Sequence, residues 1–255
     1  MKIQYASDLH LEFPENKKFL KEKPLQPKGD ILILAGDIVL FTQMDKHKDF
    51  FKYVSDHFQV TYWIPGNHEY YYFDATKKCG TINEKIRENV FLVNNISIAH
   101  ENVRFIFSTL WSKISPEHQW QIEREMNDFH LIKYNGKRFS SEPYNQMHAE
   151  SLMFINSELE RNTNEKIIVV THHVPTYKNY PEQYKGSILS DAFAVELFNV
   201  IEPSEISFWI YGHHHQNTPG FEIGSTQLIT NQLGYVQQHE HQLFQTDKII
   251  EIDNV

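Results

Sequence analysis

Five short strand-like runs in this chain each stop on residues that bind metal ions. Ile3 to Ser7 runs into Asp8-Leu9-His10, and Ile31 to Ala35 into Gly36-Asp37. Val60 to Ile64 leads through Pro65 into Gly66-Asn67-His68-Glu69. Lys166 to Thr171 ends at His172-His173, and Ile206 to Tyr211 at Gly212-His213-His214-His215. Continuous apolar runs of this length read as strands buried on both faces, which need a further layer on each side. In open α/β sheets, ligands gather beyond the carboxyl ends of the strands. One such end has a bland reading: Asp8-x-His10 as a surface turn, or Asp37 as a helix N-cap. Five of them are hard to explain as surface decoration.

The donor types narrow the chemistry. Asp8 and His10, two apart on extended chain, can face the same side. An unpaired buried Asp37 would be costly. The Asn67 amide oxygen is a ligand without charge, and the neighbouring His68 can move protons near neutral pH. With no thiolate in the set, a structural zinc site does not fit. Two catalytic ions a few ångströms apart, sharing one carboxylate, do.

The 255 residues, 40% hydrophobic, suffice for one large α/β domain over 1–255. A net charge of −9 with no run of five Lys or Arg counts against a nucleic-acid partner. Cys79 is the only cysteine, so no disulfide forms within one chain. No stretch approaches eighteen apolar residues, so no membrane span is expected. The first strand starts at once, leaving no room for a signal peptide, so the expected location is cytoplasmic. The oligomeric state is left open.

Between the five ends, residues 13–29 read as a loop with at most a short helix. Residues 45–58 read as a helix burying Phe50, Phe51, Val54 and Phe58, with His47 and His57 on the surface. Tyr70 to Phe73 either line a cleft or pack beneath the turn. Residues 74–89 read as broken helix around Gly80. Two hairpins come next, turning at Asn94-Asn95 and Glu101-Asn102. Residues 112–162 read as mostly helical, with Leu152, Ile155 and Leu159 as a buried stripe. Met126 to His130 is either a cap over the site or a connector. Lys178 and Lys185 either meet a phosphate or are simply solvated. Asp191 to Val200 reads as a short helix, and strands are expected at 227–230 and 248–252.

Taken in order, these blocks resemble the calcineurin-like metallophosphoesterase superfamily, whose pattern is D-x-H, G-D, G-N-H-D/E, a single H, then G-H-x-H. A bacterial subgroup is closer still, through Thr171-His172-His173-Val174-Pro175 and Asn231-Gln232-Leu233-Gly234-Tyr235, the latter with Gln where the subgroup has Pro. The resemblance implies a four-layer α/β/β/α sandwich of two mixed β-sheets. It implies one ion held by Asp8, His10 and His215 and another by Asn67, His172 and His213, with Asp37 bridging. His172 is taken over His173 because the family uses the first histidine past the strand. His68 would face the substrate, Glu69 would orient its neighbours, and His173 and His214 would stand behind the ligands. The other histidines are read as mostly surface residues.

The implied activity is that of a dinuclear phosphoester hydrolase, a phosphatase or phosphodiesterase. On that resemblance a hydroxide held between the ions would attack phosphorus and His68 would assist the leaving oxygen. The two divalent ions would be Mn, Fe or Zn, with Mg also accommodated. A small nucleotide or metabolite ester is favoured as substrate. The alternatives are a protein phosphatase and a non-catalytic metal-binding scaffold of the same fold.

Overall fold

The computed structural model describes residues 1–161 and 164–252. Strand β1 (Lys2–Ala6) is followed by helix α1 (Pro14–Glu22), β2 (Ile31–Ala35), α2 (Lys48–His57) and β3 (Val60–Ile64). Then come β4 (Ile82–Arg87), β5 (Val90–Asn94), β6 (Ile96–His100) and β7 (Val103–Ser108). The middle of the chain holds α3 (Gln119–Glu125), α4 (Asp128–Leu131), the two-residue strands β8 (Lys133–Tyr134) and β9 (Lys137–Arg138), and α5 (Ser141–Leu159). It closes with β10 (Lys166–Thr171), α6 (Phe198–Ile201), β11 (Ile206–Tyr211), β12 (Phe221–Ile223), β13 (Thr226–Thr230) and β14 (Ile249–Glu251).

Two six-stranded mixed sheets stack face to face, ordered β14-β1-β2-β3-β5-β4 and β12-β13-β11-β10-β7-β6. The centres are parallel, with Tyr5 opposite Ile33 and Ile33 opposite Tyr62, and the edges antiparallel. Strand alternation explains the unbroken apolar run of β2. Ile31, Ile33 and Ala35 enter the core between the sheets, against Phe105, Ile168 and Ile210. Leu32 and Leu34 face the outer layer with Phe51, Val54 and Phe58 of α2 and its end. On the far side, Val169 and Trp209 pack against Ile155 of α5 and Ile201 of α6. The expected four-layer sandwich is therefore the fold. Among the described residues, no helix is long and apolar enough to cross a membrane.

Several local expectations fail for physical reasons. Residues 74–89 hold one 3₁₀ turn and the edge strand β4, not broken helix. Ile82 and Ile86 lie four apart, a spacing that also puts both on one face of a strand, and the charged residues between them suit a sheet edge. Asn94-Asn95 makes no hairpin. Asn94 Oδ1 accepts from the Thr109 N–H and Asn95 Oδ1 from the Ser108 hydroxyl, and the chain crosses from one sheet to the other there. The expected hairpin at Glu101-Asn102 does form, between β6 and β7, and the other hairpin is β4–β5. The span 112–162, whose last residue lies outside the described residues, includes the β8–β9 hairpin among its helices. The buried stripe of α5 is Ser141, Tyr144, Met147, His148, Ser151 and Ile155, and its serines and histidine hide it from an apolar count. Leu152 and Leu159 are only half-buried. His148 is thus interior, its ring bonded to the Trp111 carbonyl, and His47 is buried as well. Residues 191–200 split between a 3₁₀ turn and α6.

Candidate metal centre

The five ligand-bearing ends meet where the two sheets face each other: β1, β2 and β3 from one, β10 and β11 from the other. Asp8, His10, Asp37, His213 and His215 all adopt left-handed backbone, with φ between 46° and 82°. For non-glycine residues this conformation costs about 1–3 kcal/mol each and persists where function over-determines it. The turns after β2 and β3 must also be thin. A Cβ on Gly66 would lie 2.2 Å from Asp37 Oδ1 and 2.6 Å from His172 Nε2, and one on Gly36 2.4 Å from His172 Nδ1.

One donor atom from each of Asp8, His10, Asp37 and His215 lies within 4.8 Å of the others, and so do donors of Asp37, His172 and His213. Asp37 is common to both groups. Asn67 Oδ1 joins the second, 3.2 Å from His172 Nε2. Its amide is oriented by Asp128, whose Oδ1 accepts from Nδ2 at 2.8 Å.

Each imidazole is turned by a partner on its far nitrogen. His10 Nδ1 faces Glu12 Oε1 at 3.1 Å and His215 Nδ1 faces Glu240 Oε2 at 2.8 Å. His172 Nδ1 faces the Ala35 carbonyl at 2.9 Å, and His213 Nε2 the Ala192 carbonyl at 3.2 Å. Oxygen acceptors at those positions take the ring N–H and leave the other nitrogen as a lone pair, the arrangement found behind metal-bound histidines. The inner nitrogens then meet in pairs, His10 with His215 at 3.0 Å and His172 with His213 at 3.1 Å. Lone pairs so close, beside two carboxylates, fit divalent cations. The four residues Asp8, Asp37, His172 and His215 are fully or nearly fully buried. Burial opposes the charged imidazole, yet the neighbouring carboxylates raise His172 to about 9 and His215 to about 10. The site draws positive charge inward.

His173 turns away. Its Nδ1 lies 3.3 Å from the Thr109 carbonyl and its ring against Trp111 and His213. His214 also points away, with Nδ1 3.1 Å from Gln232 Nε2. Gln232, standing where the subgroup has proline, also accepts the His215 N–H through Oε1, and its own N–H, which proline lacks, donates to Asn217 Oδ1. Glu69 is fully buried and ties the turns together, accepting from the N–H groups of Gly66, Asp37 and Ile38 and from Trp63 Nε1.

Sequence reasoning missed Glu12, Asp128 and Glu240. Glu12 Oε1 accepts from both His10 and His68, the latter at 2.9 Å. Burial would raise the Glu12 carboxyl, but the two imidazoles hold it at about 2. Burial likewise opposes charge on His68, and Asp37 and Glu12 outweigh it, raising its pKa. His68 Nε2 lies 3.2 Å from the Tyr235 hydroxyl, at the wall of a cleft of about 340 Å³. Tyr71 lines this cleft while Tyr70 packs beneath the turn against Phe41 and Trp111. Glu125, Met126 and Asn127 line it too, so the 126–130 segment borders the site. Lys178 and Lys185 do not: Lys178 Nζ donates to the Glu222 carbonyl and Lys185 pairs with Glu182.

A family model described as calcineurin-like phosphoesterase matches residues 1–217. The chain is 32% identical to uncharacterized protein L509 of Acanthamoeba polyphaga mimivirus over 283 aligned residues, 99% of this chain and 97% of that protein. Among solved structures it resembles the phosphopantetheinyl hydrolase PptH of Mycobacterium tuberculosis, with a TM-score of 0.69 and 16% identity over 95% of this chain and 92% of that one. It also resembles a dimetal phosphatase from Danio rerio, with a TM-score of 0.52 and 13% identity over 91% and 87% of the two chains. At these identities both likenesses are of fold.

Proposed function

Since the chain belongs to the calcineurin-like phosphoesterase family, and so to the metal-dependent hydrolases of phosphoesters, we propose that it cleaves small phosphate esters at this centre. One observation carries the reading: two ligand groups share Asp37, and every imidazole in them has its far nitrogen committed to an oxygen acceptor. Asp8, His10 and His215 would hold one divalent ion, Asn67, His172 and His213 the other, and Asp37 both. Imidazole and carboxylate donors suit Mn, Fe or Zn, and Mg less well. When bound, such ions supply Lewis-acid charge to the phosphoryl oxygens and lower the pKa of water beside them.

The remaining work falls to the protein. His68 lines the cleft, and Glu12 fixes its Nδ1, so that Nε2 carries the proton given to the leaving oxygen. The cleft, at the small end of the ~300–1,000 Å³ usual for ligand pockets, favours a small ester over a folded phosphoprotein. Because both sheets contribute ligands, residues 1–255 are read as one domain. The test is a screen of phosphomono- and diesters on metal-stripped protein with and without Mn²⁺. Mn²⁺-dependent turnover is expected. Tight Mn²⁺ binding with no hydrolysis of any ester would favour the scaffold reading instead.

A further inference from the structure

Resting on that phosphoesterase reading, we infer that the preferred substrate is a singly phosphorylated ester of an uncharged, largely apolar alcohol. The cleft has two unlike ends. One holds Asp37, Asn67, His68 and His213, the metal centre's side of the cleft, where the phosphoryl group would sit. Away from them the wall is formed by Met126, Leu189 and Phe193, with the neutral polar groups of Asn127, Ser187 and Ser190 among them. Phe193 stacks on the His213 ring with centroids 4.6 Å apart, so the apolar wall begins directly beside the metal-facing residues.

Charge points the same way. Among the described residues, no Lys or Arg lines the cleft, and its acidic member Glu125 would repel a second anion, while Glu240 is paired with His215. The basic side chains on the two bordering segments are engaged elsewhere. Arg124 lies over the Trp120 ring at 4.8 Å, Lys178 bonds the Glu222 carbonyl and Lys185 pairs with Glu182. A second phosphate or a carboxylate on the alcohol would lose water at this wall and meet only neutral hydroxyl and amide groups, with no cation to balance its charge. An aromatic or aliphatic alcohol loses nothing there and gains burial.

The experiment compares two esters of similar size and intrinsic reactivity, 4-ethylphenyl phosphate and 4-carboxymethylphenyl phosphate, on the Mn²⁺-loaded full chain. Calorimetric titration of the corresponding non-hydrolysable phosphonates gives a readout independent of turnover. The ethyl compound is expected to lead by at least about tenfold in kcat/KM and in affinity, the scale at which apolar pockets discriminate. Leu189 is partly buried, packed against the core on one side and lining the cleft on the other, so Leu189→Lys adds a cation at the wall; with thermal unfolding confirming that the variant folds, it should narrow or reverse the ratio. Equal constants for the two esters, or a ratio that Leu189→Lys leaves unmoved, would overturn the inference. Loss of both activities with Mn²⁺ still bound would instead overturn the phosphoesterase reading beneath it.

Discussion

Glu69→Gln isolates the part of the centre that no ion touches. Glu69 Oε1 accepts from Ile38 N–H at 2.7 Å and Trp63 Nε1–H at 3.2 Å, and Oε2 from Gly66 N–H at 2.7 Å and Asp37 N–H at 2.9 Å. All are donors, so the carboxylate is the form that satisfies them. Glutamine keeps the shape but offers one oxygen. Whichever way its amide turns, two buried donors lose their acceptor and face an NH₂ group. At about 1–3 kcal/mol for each stranded donor, the variant should lose about 2–6 kcal/mol. For a chain of this size that is a fall in Tm of roughly 5–20 °C. The assay is thermal and urea unfolding of metal-stripped wild type and variant at pH 7.5, followed by metal analysis, since the Asp37 backbone N–H is one of the four donors at stake. The competing account is specific. Burial and the Asp37 charge push the Glu69 carboxyl up to about 8. A group neutral at pH 7.5 would be mimicked by glutamine, and removing it would relieve a cost that grows as pH rises from 4.5 toward 8. A variant within about 0.5 kcal/mol of wild type, or more stable, would refute the argument from the donors.

Asp37→Ala should lower metal content at both positions, because its carboxylate belongs to both ligand groups; normal content by elemental analysis would remove it from the bridge. Alanine at His172 should cost metal while alanine at His173 should not, and the reverse result would exchange their roles. Gly66→Ala should strip metal with little loss of helix or sheet, since its methyl would collide with the Asp37 and His172 side chains; a fully loaded variant by the same analysis would show that the turn can yield. His68→Ala should retain its ions and lose about 10²–10⁴-fold on alkyl esters, but far less on a nitrophenyl ester. An equal loss across a leaving-group series would assign His68 to phosphate binding rather than proton donation.

The parts of this centre legible in the sequence are those where a local pattern changes abruptly. Ile31 to Ala35 is uniformly apolar and then meets Gly36-Asp37, and the same break recurs at Asn67, His172 and His213. A buried strand constrains the residues just beyond it, because an ionisable group at its end must find a partner or an ion. The misread segments lacked such a break. Ile82 and Ile86 fit helix and strand alike, and the α5 stripe runs through serine and histidine.

The layer that turns the ligands stayed hidden. Asp128 reaches Asn67 across 61 residues and Glu240 reaches His215 across 25, while Glu12 lies two residues from His10 and also reaches His68 across 56. Glu12 comes just after the Asp8-x-His10 block, but no local pattern marks Asp128 or Glu240, since charged residues at helix starts and turns are ordinarily solvated. Behind the four imidazoles, two of the four acceptors are not side chains at all: Ala35 and Ala192 act through backbone carbonyls, and any residue there would offer the same oxygen. Yet a constraint on that layer does come from the sequence. Four buried imidazoles aimed at cations need four oxygen acceptors on their far nitrogens, because a buried ring N–H left unpaired is costly. The number of acceptors was therefore implied by the histidines themselves. Their identity depended on which loops two sheets, closing face to face, would bring within 3.2 Å.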